Sequence, residues 1–142
     1  MDKNGAIVII EDDVDDQFIL EQVFAELGYD NERVYFLDGL AAMDYLHTTK
    51  QLPFLILSDI NLPKLDGLEL RRKLKNDADL NIKCIPYLYF TTALNHQIVI
   101  DAYGASAQGF FVKPSSYEDI RDTIKLIIEY WKKCAAPNNF PA

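Results

Sequence analysis

Five short apolar runs, spaced by stretches with helical periodicity, constrain this chain more than any other feature. They are Ala6 to Ile10 (A-I-V-I-I), Val34 to Leu37 (V-Y-F-L), Phe54 to Leu57 (F-L-I-L), Tyr87 to Phe90 (Y-L-Y-F) and Phe110 to Val112 (F-F-V). Unbroken apolar runs of this length are the pattern of strands buried on both faces, as in a parallel sheet. Between them, apolar residues recur at helical spacing: Phe18, Ile19, Val23, Phe24 and Leu27; Leu40, Met43, Tyr45 and Leu46; Leu68, Leu70 and Leu74; Ile98, Val99, Ala102 and Tyr103. A longer final helix follows, with Ile120, Ile124, Ile127, Ile128 and Trp131 on its inward face and Ser115 with Glu118 as a capping box. Strand and helix thus alternate five times, with the polar stretch Asn76 to Lys83 expected as a link. Connections of this length force right-handed crossovers and a sheet covered on both faces. The expected fold is α/β: a five-stranded parallel sheet, flavodoxin-like and doubly wound in the order 2-1-3-4-5, with five helices.

That order sets the ends of the first and third strands side by side, where open α/β sheets bind ligands. The first run ends in Glu11 and Asp12, and the third in Ser58-Asp59, followed by the turn formers Asn61, Pro63, Asp66 and Gly67. Thr91 and Lys113 close the fourth and fifth runs and border the same crevice. Three carboxylates this close repel, at about 4 kcal/mol per pair for roughly 4 Å and an effective dielectric near 20. They must take up protons or hold a cation. An oxygen-only donor set selects a hard ion, and a small site open to water and phosphate suits Mg²⁺. A calcium loop counted from Asp13 fails, because its required Gly and Glu fall on Phe18 and Phe24. A carboxylate nucleophile, a divalent ion, a lysine and a hydroxyl together suit phosphoryl transfer to Asp59. The plainer reading of Lys113 and Thr91 is a simple ion pair and a strand end.

Composition excludes other classes. The 142 residues are 49% hydrophobic and 25% charged, as for one globular domain. Apolar runs are too short to span a membrane. A formal charge of −8 argues against a nucleic-acid partner. Cys84 and Cys134 have no framework spacing, which points to free thiols and a cytoplasmic location. His47 and His96 have no partner at ligand spacing and read as surface or helix-end residues. The domain is expected over 5–134, with 135–142 a short flexible tail and no output domain.

The stretches I-I-E-D-D, L-S-D-I-N-L-P-K-L-D-G, F-T-T and F-F-V-K-P resemble the four signatures of the receiver domain of two-component response regulators, in register from about Ile7 to about Trp131. The resemblance, to a stand-alone, chemotaxis-regulator-like receiver, implies Asp59 as phosphoacceptor and Glu11 and Asp12 as its acidic pair. It implies the backbone carbonyl of Asn61 as a further ligand of Mg²⁺, and Thr91 and Lys113 as phosphoryl contacts. Phe110 stands where the family places a switch aromatic, acting with Thr91. The donor would be a sensor histidine kinase or a histidine phosphotransfer protein, and the chain an acceptor rather than a multiple-turnover enzyme. Output would pass by contact to a downstream effector protein. The expected docking face, which could also join a second copy, is the fourth helix, the last strand and the Leu126–Tyr130 shoulder of the final helix. The sequence departs from the family at Glu11, where Asp is common, at Ser106, where Gly is common after the fourth helix, and at Tyr87 and Tyr89, whose hydroxyls need partners. Two other functions compete: a receiver-like scaffold that is never phosphorylated, and a phosphatase with an Asp nucleophile. The latter carries its nucleophile after the first strand as D-x-D, whereas here it follows the third as D-x-N.

Overall fold

Strand pairing follows the expected order. A computed structural model describes residues 1–137. Its strands are β1 (Ile7–Ile10), β2 (Arg33–Phe36), β3 (Leu55–Ser58), β4 (Tyr87–Thr91) and β5 (Gly109–Val112). All pair in parallel as β2-β1-β3-β4-β5. The helices are α1 (Val14–Leu27), α2 (Gly39–Thr48), α3 (Gly67–Asn76), α4 (Ala78–Asn81), α5 (His96–Gly104) and α6 (Tyr117–Lys133).

The period of two along each strand divides the core. Ile7, Ile9, Leu55, Leu57, Leu88 and Phe90 face the layer holding Leu20, Val23 and Phe24 of α1 and Ile120, Ile124, Ile127 and Ile128 of α6. Val8, Ile10, Ile56, Tyr87 and Tyr89 face Ala42 and Leu46 of α2, Leu70 and Leu74 of α3 and Ala102 of α5. Side-chain caps start the helices. Asp13 accepts from the amides of Asp15 and Asp16, Asp38 from Ala41, Asp66 from Glu69, and Asn95 from Ile98. Gly28 closes α1 in the left-handed region, at φ 74°.

Among the described residues the sheet carries six helices, not five. The polar link contains α4, a single turn in which Asp77 accepts from the amides of Asp79 and Leu80 while Leu80 enters the core. On α1 the buried stripe is rotated from the expected one: Phe18 is 64% exposed, and Leu20 packs inward instead. Leu40 and Tyr103 also face outward, and Trp131 is half-buried. The cap of α6 is Ser116, which accepts from Asp119 N, rather than Ser115. α5 ends at Gly104, and Ser106 takes the left-handed turn at φ 65° where glycine was the expected residue. His47 does stand near a helix end, 2.8 Å from Asp77 Oδ2. Of the expected tail, Ala136 is buried against the α1 and α6 layer, and 138–142 lie outside the described residues.

Candidate functional site

The carboxyl ends of β1, β3, β4 and β5 converge on one crevice, and each contributes a polar group. Glu11 and Asp12 follow β1, Asp59 follows β3, Thr91 ends β4 and Lys113 follows β5. Backbone bonds extend the sheet past the strand ends and fix these positions: Asp59 N donates to Ile10 O (2.9 Å), Glu11 N to Phe36 O (2.9 Å) and Lys113 N to Thr91 O (2.8 Å). Glu11 and Thr91 are buried, Asp59 is half-buried and Asp12 is exposed at the mouth.

The two oxygens of Asp59 have different surroundings. Oδ1 accepts from Thr91 Oγ1 at 2.5 Å and from Ile60 N at 2.7 Å. Oδ2 forms no hydrogen bond among the described residues and lies 3.9 Å from Lys113 Nζ. The Thr91 hydroxyl is itself oriented, because it accepts from Ala93 N at 3.1 Å. Lys113 Nζ donates to Glu11 Oε2 at 2.7 Å and to Asp16 Oδ2 at 3.2 Å, and lies 5.9 Å from the centroid of the Phe90 ring. Burial pushes the Glu11 carboxyl up to about 7, against the opposing bond and charge of Lys113. Burial works to lower Lys113, but the bond to Glu11 and the charges around it prevail and hold its pKa above the usual lysine value.

Glu11, Asp12 and Asp59 each offer an oxygen, all within 4.8 Å of one another. Among the described residues this cluster has no nitrogen or sulfur member, so it fits a hard divalent cation. Asn61, two residues past Asp59, is exposed in the loop before Pro63. Gly67 lets this loop close: a Cβ there would stand 2.1 Å from the Asp59 carbonyl oxygen. The carbonyl of Gly67 is in turn bonded by the Tyr89 hydroxyl at 2.9 Å and the Tyr87 hydroxyl at 3.0 Å. Tyr87 also reaches Ser58 Oγ at 2.9 Å. Both tyrosines therefore find partners inside the core, and they brace the segment that carries Asp59.

The expected residues Glu11, Asp12, Asp59, Thr91 and Lys113 are thus brought together. Phe110 stands apart from them. Its half-buried ring packs on Tyr89, its register partner, with centroids 5.8 Å apart. Asp16, Ser58 and the two tyrosines were not expected at the site. Asp16 carried one signal, its position four residues after Asp12 in the acidic run. A cavity of about 390 Å³ lies at the opposite end of the sheet among Met1, Ile56, Arg71, Pro86 and Gln108.

An acidic crevice at the switch point of a flavodoxin-like sheet, with a hydroxyl and a lysine on the two neighbouring strand ends, defines a receiver-type domain. The chain belongs to that family: the model of the response regulator receiver domain matches residues 7–125. It is 32% identical over 129 residues to the probable methanogenesis regulatory protein FilR2 of Methanothrix harundinacea, covering 88% of this chain and 82% of that one. It is 32% identical over 130 residues to the response regulator Rcp1 of Synechocystis sp., covering 88% and 87%. The crystal structure of the phosphorylated cyanobacterial phytochrome response regulator RcpA superposes with a TM-score of 0.84 at 29% identity, over 93% of this chain and 97% of that one. The Mn²⁺-bound form of Rcp1 superposes with a TM-score of 0.81 at 31% identity, over 93% and 98%.

Proposed function

We propose that this receiver accepts a phosphoryl group on Asp59 from a phosphohistidine of a sensor histidine kinase or histidine phosphotransfer protein. The observation that carries the reading is the asymmetry of Asp59: Oδ1 is held by Thr91 and Ile60, while Oδ2 is left unbonded beside the lysine. In the transfer, Oδ2 attacks phosphorus in line, its new P–O bond forms as the P–N bond to the imidazole breaks, and the freed nitrogen takes a proton from water. Lys113 is the cation placed to meet a phosphoryl oxygen, and the Thr91 hydroxyl is the neutral donor for another. Glu11, Asp12 and Asp59, with the Asn61 carbonyl, would hold Mg²⁺, which when bound neutralises charge on the phosphoryl oxygens.

Metal- and phosphate-loaded relatives support the reading, as one structural neighbour is a phosphorylated regulator and another holds Mn²⁺. The chain acts as an acceptor in the cytoplasm, not as a multiple-turnover enzyme. A phosphatase built on a first-strand nucleophile draws no support from a crevice whose unbonded carboxylate oxygen sits after β3. Output runs through α5, β5 and α6, where Ile100, Tyr103, Val112, Leu126 and Tyr130 are exposed and can meet an effector protein or a second copy.

The test is labelling with acetyl phosphate and Mg²⁺, followed by intact-mass measurement. Wild type gains one base-labile phosphoryl group, and Asp59→Asn gains none. Labelling of Asp59→Asn at the wild-type rate would exclude Asp59 as the acceptor.

A further inference from the structure

We propose that Asp16 is a positioning residue for the phosphoryl reaction, holding Lys113 back from Asp59 until an anion arrives to replace it. The inference rests on the function proposed above and concerns the resting place of the lysine. An ammonium has three donors. Here one goes to Glu11 at 2.7 Å and one to Asp16 at 3.2 Å, while Asp59 Oδ2, at 3.9 Å, is beyond hydrogen-bond reach. The lysine side chain is 9% exposed and lies against the Phe90 ring, so its ammonium has little freedom beyond these three carboxylates.

Asp16 differs from the other acids in kind. It is not one of the three clustered carboxylates, so it has no share in holding a cation with them. Its side chain is 37% exposed and bonds only Lys113 among the described residues. Its place is fixed by the first turn of α1, where its amide donates to the Asp13 cap and the helix N-terminus favours its charge. With a divalent ion held by Glu11, Asp12 and Asp59, Asp16 would remain as the competitor of a phosphoryl group for the lysine. It also adds a negative charge at the entrance that an incoming phosphate must approach. Both effects oppose the phosphorylated state, so Asp16 acts as a brake on it.

The experiment is a double-mutant cycle on the full chain with Asp16→Asn, Lys113→Met and the pair, read by titration of beryllofluoride in saturating Mg²⁺. Asp16→Asn is expected to tighten beryllofluoride binding about fivefold, the scale of an ion pair with one exposed partner. In the Lys113→Met background the same substitution is expected to change affinity by less than about twofold, because the competition has no object. Labelling by acetyl phosphate, in which the P–O bond to acetate breaks as the bond to Asp59 forms, should rise in parallel. An Asp16→Asn affinity equal to wild type overturns the proposal. So does an equal gain in both backgrounds, which would make Asp16 a diffuse charge acting without the lysine. A wild type that binds no beryllofluoride and takes no label overturns the functional reading and this inference with it. A wild type that does both, with Asp16→Asn indistinguishable, overturns this inference alone.

Discussion

Thr91 and Asp59 illustrate how much the site depends on single atoms. The hydroxyl of Thr91 donates to Oδ1 and so leaves Oδ2 as the unbonded oxygen on which the proposed transfer relies. Thr91→Val keeps the shape of a buried side chain and removes that donor, together with the acceptor of the Ala93 amide. In the proposed reaction it should slow acetyl phosphate labelling about tenfold or more, as loss of an oriented donor at a developing charge does. Circular dichroism should show the fold retained, and labelling at the wild-type rate would remove Thr91 from the mechanism. A second expectation concerns Glu11, Asp12 and Asp59, whose mutual repulsion a cation would relieve. Mg²⁺ should raise the melting temperature, since binding only the folded state adds about 2.7 kcal/mol at a hundredfold excess over Kd. Asp12→Ala should lose most of that gain, and an undiminished Mg²⁺-dependent shift would count against the cluster as a metal site. These residues were legible in the sequence because each lies within two residues of the end of an apolar run. The partners of the tyrosine hydroxyls were not. Gly67 O lies 20 and 22 residues away in the chain from Tyr87 and Tyr89, on a turn whose path no periodicity encodes.

At the scale of elements, edge strand β2 is tied to α1 by charge. Arg33 donates from Nε and Nη2 to both oxygens of Glu21, at 3.0 and 2.6 Å, and Tyr35 donates to Glu21 Oε2 at 2.6 Å. These bonds, that from Arg33 first, hold the Glu21 carboxyl below its ordinary 4.5. The folded chain therefore releases this proton more readily than the unfolded one. The stability it contributes is full above about pH 4.5 and is lost as pH falls through the depressed folded value. Urea titrations should show Glu21→Gln less stable than wild type at pH 7, by about 1 kcal/mol or less given solvent screening of a half-exposed carboxylate. The gap should narrow as pH falls below 4.5 through the depressed folded value, and a difference independent of pH would mean that packing rather than charge joins the two elements. The element errors of the sequence reading share a cause. Phe18 and Leu20 are both apolar, and a helical wheel alone does not say which of the two the sheet will cover. The single turn α4 is too short to show a period, and it exists because Asp77 caps it and Leu80 anchors it. At α6, Ser115 and Ser116 are adjacent and equally able to cap, so the choice falls to the path of the chain after Pro114.

The arrangement of the whole molecule was the most legible level, because handed crossovers leave few ways to order five parallel strands. Its far side is where the proposed signal must leave. The α5–β5–α6 face carries exposed Tyr103, Leu126 and Tyr130, with Leu126 at 64% and Tyr130 at 61% exposure. If this face binds an effector or a second copy in response to phosphorylation, Leu126→Glu with Tyr130→Ala should abolish beryllofluoride-dependent association in sedimentation or pull-down with an identified partner. Association that persists in the folded double variant would place output elsewhere. A shift from 1:99 to 99:1 between the two states needs about 5.5 kcal/mol of differential binding. Phe110 has no hydroxyl to add to that difference, so its share must come from how its ring packs on Tyr89.

Tyr87 and Tyr89 give the molecule a spectroscopic property as well as a brace. Burial raises the pKa of both phenols, that of Tyr87 well above the ordinary 10 with its side chain wholly enclosed. Both rings resist forming phenolate while the core is closed, because a buried phenolate would lose its hydration. In an alkaline titration followed by ultraviolet absorbance, these two buried phenols are held back while the core stays closed. A later, steeper rise would then mark the moment the segment carrying Asp59 comes loose from the sheet, so the protein contains its own optical gauge of the loop on which its chemistry depends.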